Sequence, residues 1–429
     1  MDVFLGTQKK QFNTSLTLIS LMYLTWGFIT VINGVLIAEL KDGLQMTMEQ
    51  FQVIFYLFFG TYFIMGFPAG KLVDKIGYKQ SIMIGLYISA SATLLMVPGA
   101  MYRNYYLVVG GIFVIATGIT LLQVAVNPYV VLFLGSSKNA VTRLVTAGAF
   151  NSIGTWLAPL IGLLVVSGEM PLDDSFLGIA QAKAEVVINP YILFSCVFVG
   201  LAIILNFSDL PEIPTTKHLD TNIKNDNRKW VLQYRHVVFA AIAIFAYVGA
   251  EVGIGMNLSA YITSSPEVGG LGLTKFIGVE GLIVAFYWGS LMVGRFMAAN
   301  YVKNYSPEKV TVYFAFAAAA LVYIAISADG LASMVALIAV GFFNSVLFCT
   351  IFVLGVSGMG RFSEEASAVM IMAIVGGGVV LFLMNQFHSI KTSMYVPFAC
   401  YLIILAFGKW GYKYEQKDTI EYSEPEKKV

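Results

Sequence analysis

Long uncharged runs divide the chain into twelve candidate membrane spans. Six lie in the first half and six in the second half, at about 14–38, 50–70, 80–99, 106–132, 144–167, 190–208, 236–262, 277–299, 310–327, 331–356, 367–387 and 394–412. Each run approaches the ~20 residues that a helix needs to cross a bilayer core of ~30 Å. Strands of a membrane barrel would be about 10 residues long and alternate in polarity. The pattern therefore predicts an all-α integral membrane protein with twelve transmembrane helices.

A polar stretch near the middle of the sequence separates the two sets of spans. We therefore predict four parts: an N-terminal six-helix bundle over 1–208, a cytoplasmic linker over 209–235, a C-terminal six-helix bundle over 236–412 and a cytoplasmic tail over 413–429. Asparagines recur at similar places in the two halves, at Asn33 and Asn257. Parallel six-helix repeats of this kind are typical of transporters with a central site between the halves.

The lysines and arginines indicate the orientation of the chain. Of the 26 in the sequence, 21 fall on one side of the predicted membrane together with both termini. The other five lie on the opposite side, at Lys41, Arg103, Lys183, Lys275 and Lys391. Because basic residues are enriched in cytoplasmic loops, we expect both termini in the cytoplasm and a chain that crosses the membrane many times.

The composition excludes several classes of protein. Hydrophobic residues make up 58% of the chain and charged residues only 12%, about half the charged share of a typical soluble domain, which rules out a soluble enzyme. The net charge of +1 favours no nucleic-acid partner. The three cysteines lie in apolar runs at no metal-ligand spacing, and no enzyme motif stands at a credible place. We expect a monomer in the lipid bilayer, with no cofactor and no metal site other than one for a coupling cation.

Amide and hydroxyl side chains lie inside several of the apolar runs. They are Asn33 on the first span, Gln123 and Asn127 on the fourth, Asn151 on the fifth, Asn257 on the seventh, and Asn344 and Thr350 on the tenth. These groups offer both donors and acceptors, as the hydroxyls of a sugar require. The alternative is that they join helices through hydrogen bonds. For the set as a whole we favour the role of substrate ligands.

Aromatic residues beside these polar positions are candidates for stacking on a sugar ring. Trp26, Tyr287, Trp288 and Phe348 are placed in this way. The alternative for each is a place in the aromatic belt at the membrane surface. We include Trp288 and Phe348 in the predicted substrate site.

Glu251 is a carboxylate deep inside the seventh span. Placing an acid at that depth costs about 2.5 to 3.5 kcal/mol on insertion scales, so such residues usually bind a proton or an ion. Tyr247 lies four residues earlier on the same helical face, where it could hydrogen-bond to Glu251 and also reach the substrate. The alternative is a structural acid paired with a neighbouring helix. We predict that Glu251 binds the coupling cation.

The loop between the second and third spans resembles a signature of the major facilitator superfamily. The run GKLVDKIGYK from Gly70 to Lys79 is similar to the pattern G-x-x-x-D-[RK]-x-G-[RK]-[RK], with Tyr78 in place of a basic residue. This resemblance implies a conformational latch made by Asp74 with Gly70 and Lys75. In that role Asp74 would lie near the start of the eleventh helix, close to Ala366.

Further runs resemble the fucose, glucose and galactose permease family. They are NP at 127–128, AFNSIG at 149–154, YVGAE at 247–251, YWGSLMVGRF at 287–296, NSVLFCTIF at 344–352 and MAIVGGG at 372–378. The fucose branch has acids where this chain has Gly34 and Gln123, whereas YVGAE resembles the glucose/galactose branch. Cys349 and Leu381 replace two prolines of the family, so the helix shape is expected to differ there. The chain is thus nearer to the glucose/galactose branch.

The resemblance implies two pseudo-symmetric bundles, with helices 1, 4, 7 and 10 lining a central cavity that opens alternately to each side. We expect import of a hexose such as glucose or galactose by symport with a proton, with sodium as the alternative cation. Two other classes of protein are alternatives. A multidrug antiporter would need a more apolar cavity and acids in the first half, and a sugar sensor would need a folded soluble output domain.

Overall fold

The computed structural model describes residues 2–132, 139–167, 176–208, 210, 230–263 and 279–413. Each of the six predicted spans of the first bundle contains a helix, and one additional helical segment, Phe176–Glu185, precedes the sixth span. These helices are α1 (Asp2–Gly43), α2 (Met48–Ile76), α3 (Tyr78–Met101), α4 (Tyr105–Leu132), α5 (Ala140–Ser167) and α6, which has the segments Phe176–Glu185 and Ile188–Asn206. Most of the predicted linker and all of the tail after Lys413 lie outside the described residues.

The second bundle also follows the predicted order. Its helices are α7 (Arg235–Thr263), α8 (Val279–Tyr301), α9 (Pro307–Ser327), α10 (Gly330–Asn344 and Leu347–Val356), α11 (Ser363–Met372 and Gly376–Met384, joined by the 3-10 turn Ala373–Val375) and α12 (Ile390–Ser393, Tyr395–Ala406 and the π-helix Phe407–Gly411). Within the described residues, eleven helices are long and apolar enough to cross a membrane, and α8 is the one outside that set. The twelve-helix architecture is confirmed.

Several helices extend beyond the predicted apolar runs. The run on the second span stops near 70, yet α2 continues through Lys71, Asp74 and Lys75 to Ile76. Charged residues end the hydrophobic segment without ending the helix, because a helix can continue past the hydrocarbon core into the headgroup region and water.

Close helix contacts repeat in the two bundles. Gly154 on α5 lies so near α1 that an added Cβ would stand 2.6 Å from the backbone nitrogen of Phe28. Gly376 on α11 lies against α7, where an added Cβ would stand 2.7 Å from the carbonyl carbon of Phe245. Small residues allow such approaches between membrane helices. The equivalent pairs α1/α5 and α7/α11 support the predicted pseudo-symmetry.

The two bundles meet mainly where α2 faces α11 and where α5 faces α8. We call the end of the molecule that contains Gly77, predicted to be cytoplasmic, the inner end. There the hydroxyl of Tyr78 donates to a carboxylate oxygen of Glu364 at 3.1 Å, and the hydroxyl of Ser367 donates to the carbonyl of Val124 at 3.3 Å. Both bonds cross between the bundles, so the inner end is closed in this structure.

Candidate substrate and ion site

Glu251 lies in the middle of α7, and the residue is partly exposed. The buried hydroxyl of Tyr247 donates to its Oε1 at 2.6 Å, which is the contact expected from their spacing. A short hydrogen bond to a charged acceptor is among the stronger ones in proteins. Glu251 therefore has a fixed position at mid-depth, while part of its surface stays accessible.

The backbone at Glu251 is tied to three further helices. The hydroxyl of Tyr287 on α8 donates to the carbonyl of Glu251 at 2.9 Å. Asn344 on α10 donates to the hydroxyl oxygen of Tyr287 at 3.0 Å, and Tyr401 on α12 donates to Oδ1 of Asn344 at 2.8 Å. Asn344, Tyr287 and Tyr401 are all buried. Asn344 thus uses both ends of its amide to hold helices together, and its predicted role as a sugar ligand remains a prediction.

A second polar cluster lies in the first bundle. The hydroxyl of Tyr23 on α1 donates to Oδ1 of Asn127 on α4, and Nδ2 of Asn151 on α5 donates to the carbonyl of Tyr23 at 3.1 Å. Nδ2 of Asn127 is buried and has no hydrogen-bond partner among the described residues. A buried donor without an acceptor costs about 1–3 kcal/mol. The Asn127 amide therefore has an unused donor, and its role as a sugar ligand remains a prediction.

Gln123 and Asn151 keep exposed surface, which leaves them accessible to a substrate. Nε2 of Gln123 donates to the hydroxyl oxygen of buried Tyr62 at 3.1 Å, and the Gln123 side chain is partly exposed. Asn151 is also partly exposed. Both residues lie on helices of the first bundle that contact the second one.

Three of the predicted ligands are bonded within a single bundle. Buried Asn33 accepts a hydrogen bond from Tyr191 at 2.6 Å, which joins α1 to α6. Buried Thr350 lies 2.8 Å from the hydroxyl oxygen of Thr311, which joins α10 to α9. Asn257 is partly exposed and donates to a carbonyl of its own helix at 3.0 Å. The first two contacts are typical of amides and hydroxyls that join helices, and all three substrate roles stay predictions.

Aromatic rings flank both polar clusters. Phe348 is partly exposed, and its ring centroid lies 6.3 Å from that of Tyr247. Trp288 is also partly exposed and lies beside Tyr287, with centroids 5.3 Å apart. In the first bundle, the centroid of Trp26 lies 4.1 Å from that of Tyr23. Exposed ring surface next to hydrogen-bonding groups suits a ligand with both apolar and hydroxyl faces, such as a sugar.

Arg295 on α8 is a functional candidate that was not predicted. Its side chain is buried, and it donates from Nε to the carbonyl of Ser345 at 3.0 Å. From Nη1 it donates to the carbonyl of Gly148 at 2.7 Å and, at 3.4 Å, to Oδ1 of Asn151. Ser345 belongs to the same bundle, whereas Gly148 and Asn151 belong to the other one. A charged residue inside a membrane span is by itself a signal of function, and the run YWGSLMVGRF contained it.

Arg295 also reaches the polar cluster of the first bundle. Its Nη1 bond goes to Asn151, whose Nδ2 donates to the carbonyl of Tyr23. Among the described residues no ion pair within 4.0 Å joins Arg295 to Glu251. Arg295 therefore contacts the cluster around Asn151 and makes no ion pair with Glu251.

The predicted latch residues lie at the inner end of α2. A Cβ added to Gly70 would stand 2.7 Å from Cβ of Ala368 and 3.5 Å from the carbonyl oxygen of Glu364, both on α11. Asp74, one turn further along α2, is partly exposed, and Lys75 is exposed. The close approach of α2 to the first turns of α11 agrees with the expected position of Asp74, and its role as a latch remains a prediction.

Comparisons with known proteins give a consistent picture. The sequence model of the family described as Major Facilitator Superfamily matches residues 16–383. A glucose/galactose transporter of Brucella abortus is 37% identical over 410 residues, which are 95% of this chain and 96% of that protein. An L-fucose-proton symporter of Escherichia coli is 27% identical over 94% of each chain. The solved structure of FucP in the outward conformation superposes with a TM-score of 0.79 and 26% identity, over 92% of this chain and 97% of that one.

Proposed function

Because this chain belongs to the major facilitator superfamily, we propose that it is a secondary active transporter that imports a hexose, such as glucose or galactose, together with a cation. The printed names of its relatives, a glucose/galactose transporter and an L-fucose-proton symporter, support a sugar as the substrate. We place it in the bacterial inner membrane with both termini in the cytoplasm, in agreement with the distribution of basic residues.

The observation that carries this proposal is the position of Glu251. This partly exposed residue has its carboxylate at mid-depth, held by Tyr247 at 2.6 Å, and provides a site for a cation. Partly exposed Gln123 and Asn151 supply hydrogen-bonding groups for a sugar from the opposite bundle. The ion site then lies in one bundle and the sugar ligands lie in the other. Both cargoes are bound between the bundles and are released when the bundles separate.

We favour the proton as the coupled cation. Glu251 can be neutralised by a single proton, and one relative is named as a proton symporter. Sodium remains the second candidate, because a carboxylate can also bind a sodium ion. Both ions would neutralise the same charge, so the transport cycle is the same in outline.

Uptake by proteoliposomes tests the proposal. Vesicles containing the purified full-length chain should accumulate labelled glucose or galactose when a proton gradient is imposed. A panel of hexoses and related sugars identifies the substrate, and a sodium gradient without a proton gradient distinguishes the two cations. The absence of gradient-driven uptake for every hexose in the panel would contradict the proposed function.

The substitution Asp74→Asn is expected to shift the protein towards the inward-open state. A carboxylate near a helix N-terminus contributes roughly 0.3–1 kcal/mol when exposed and up to about 2 kcal/mol when partly buried. That attraction to α11 exists only while the inner end is closed, so its loss changes the ratio of the two states by about 2-fold to about 30-fold. A cysteine replacing Ser367, which is buried between the bundles, should become more reactive to a maleimide.

Two variants sharpen this test. Tyr78→Phe removes the described bond to Glu364 and should shift the labelling rate in the same direction. Asp42→Asn is the matched control, because Asp42 pairs with Lys183 in its own bundle at 2.5 Å. An unchanged labelling rate in Asp74→Asn would show that Asp74 is not a latch.

A further inference from the structure

A groove opens between α8 and α9 in the part of the second bundle nearer the inner end. Both helices pack against α10 but not extensively against each other, and Phe342 of α10 lines the space between them. The groove has a volume of about 380 Å³. On α8 its lining runs from Gly294 to Tyr301, which is about 10 Å along the helix axis. Because Gly294 belongs to the predicted eighth span, the groove reaches from the inner end into the membrane.

The lining of the groove is apolar and aromatic. Tyr301, Tyr305 and Tyr313 come from the end of α8, the following turn and α9, and Met297 lies one turn before Tyr301. All four side chains are exposed. Tyrosines near a membrane surface often belong to the aromatic belt. A belt would account for the tyrosines but not for the groove that they share, and their exposed surface suits contact with a hydrocarbon chain.

Two lysines flank the groove at the inner end. Lys303 follows Val302 and Lys309 precedes Val310, and both valines line the groove. Both lysines are exposed. Within the part of the chain that the structure describes, neither ammonium has an acidic partner within 4.0 Å. Glu308 is an acid in the same turn, so two positive charges stand against one negative charge.

The start of α9 favours an anion at the same end of the groove. Ser306, the residue before the helix, makes no capping bond with its side chain. The first N–H groups of a helix have no partners inside the helix, and the positive end of the helix dipole attracts negative charge. Together with the lysines, this helix start favours a negatively charged headgroup.

We propose that the groove binds an acyl chain of an anionic phospholipid, with the phosphate of the lipid near Lys303 and Lys309. An empty apolar space loses dispersion contacts on all its walls, and in a bilayer the lipid chains are the molecules at hand to fill it. Basic sites between helices at the cytoplasmic side are known to bind anionic headgroups. The lipid would join α8 to α9 where these helices do not pack on each other.

Lipid retention by the full-length chain tests the proposal. The protein is reconstituted into vesicles of equal parts phosphatidylglycerol and phosphatidylcholine with the same acyl chains, and then extracted into detergent. Native mass spectrometry identifies the lipid that stays bound. The protein should retain phosphatidylglycerol in preference to phosphatidylcholine. Equal retention of the two lipids would overturn the proposal. So would retention of neither, as expected if a segment outside the described residues fills the groove.

Filling the groove should remove the retained lipid. Met297→Trp places a larger side chain at an exposed position of the lining. Ile324→Trp is the matched control, because Ile324 is an exposed residue of α9 nearer the outer end and does not line the groove. Retention of phosphatidylglycerol should be lost in the first variant and kept in the second. If both variants behave alike, the lipid is not bound in this groove.

The headgroup contact is tested by variants that leave the groove intact. A lysine near an anionic headgroup contributes a factor on the order of 5-fold. Lys303→Gln and Lys309→Gln should therefore each lower the ratio of retained phosphatidylglycerol to phosphatidylcholine by about 5-fold. Lys409→Gln is the control, because Lys409 is an exposed lysine at the inner end of α12, over the ring of Trp410. An equal loss in Lys409→Gln would show that the preference reflects general charge and would overturn the proposal. Transport is not measured, so the result is independent of the proposed function.

Discussion

Replacing Glu251 with glutamine is expected to abolish the accumulation of sugar against its gradient. Glutamine is close in size and can still accept a hydrogen bond from Tyr247, but it cannot gain or lose a proton or neutralise a cation. The carrier should then equalise the sugar concentration across the membrane instead of concentrating it. Exchange of labelled for unlabelled sugar should continue, because exchange needs no net movement of the cation. Uptake and exchange in proteoliposomes measure the two activities separately.

Glu39→Gln is the matched control for this experiment. Glu39 is also an acid of a membrane helix, but it lies near the outer end of α1, 3.8 Å from the ammonium of Lys183. Its replacement should leave accumulation at the wild-type level. If Glu251→Gln also accumulates sugar at the wild-type level, the coupling residue lies elsewhere in the chain.

Single alanine substitutions at Gln123, Asn127, Asn151 and Asn344 are expected to weaken sugar binding by about 1 to 3 kcal/mol each. This corresponds to a rise in Kd of roughly 5-fold to 150-fold. A site that hydrogen-bonds a hydroxyl of the sugar loses much of its affinity when the protein group that makes this bond is removed. Asn127 is the strongest candidate of the four, because its buried Nδ2 has no partner among the described residues. Calorimetric titration or equilibrium binding of the labelled sugar gives Kd.

Affinity and thermal stability together separate a ligand from a residue that joins helices. Loss of a side chain that only binds the sugar raises the Kd of the sugar with little change in the Tm of the protein. Loss of an amide that joins helices lowers the Tm as well. Asn344→Ala should lower both, since this amide bonds to Tyr287 and Tyr401. Gln386→Ala is the control, because Gln386 is exposed and donates to its own helix. Unchanged Kd in all four variants would assign these amides to helix packing alone.

The number and order of the helices could be predicted, because an apolar run of this length crosses a membrane as a helix. Backbone polar groups in hydrocarbon must be satisfied within the segment, which makes each run a helix. The breaks inside individual helices could not be predicted in the same way. α10 breaks after Asn344, and α11 changes to a 3-10 turn over Ala373–Val375. Such irregularities depend on partners from other helices, such as Arg295, which bonds to Ser345 at the break in α10.

The candidate site could be predicted only where its contacts are local. Tyr247 and Glu251 lie one helical turn apart, so their hydrogen bond follows from the sequence. The bond between Tyr191 and Asn33 joins residues that are 158 positions apart, and no spacing rule relates them. The sequence does show Arg295 as a charged residue inside a membrane span. Its acceptors on α5, however, become evident only when the two bundles are brought together.

The separation of the two polar clusters has a consequence for how such a carrier can evolve. Tyr23, Asn127 and Asn151 form one cluster in the first bundle, whereas Glu251 is held by residues of the second. Under the proposed assignment of the sugar to the first cluster and of the cation to Glu251, a mutation that changes the preferred sugar leaves the carboxylate and its tyrosines untouched. Under that assignment, sugar preference diversifies among descendants while the coupled cation stays the same. An engineer seeking a new sugar should begin library design on α1, α4 and α5.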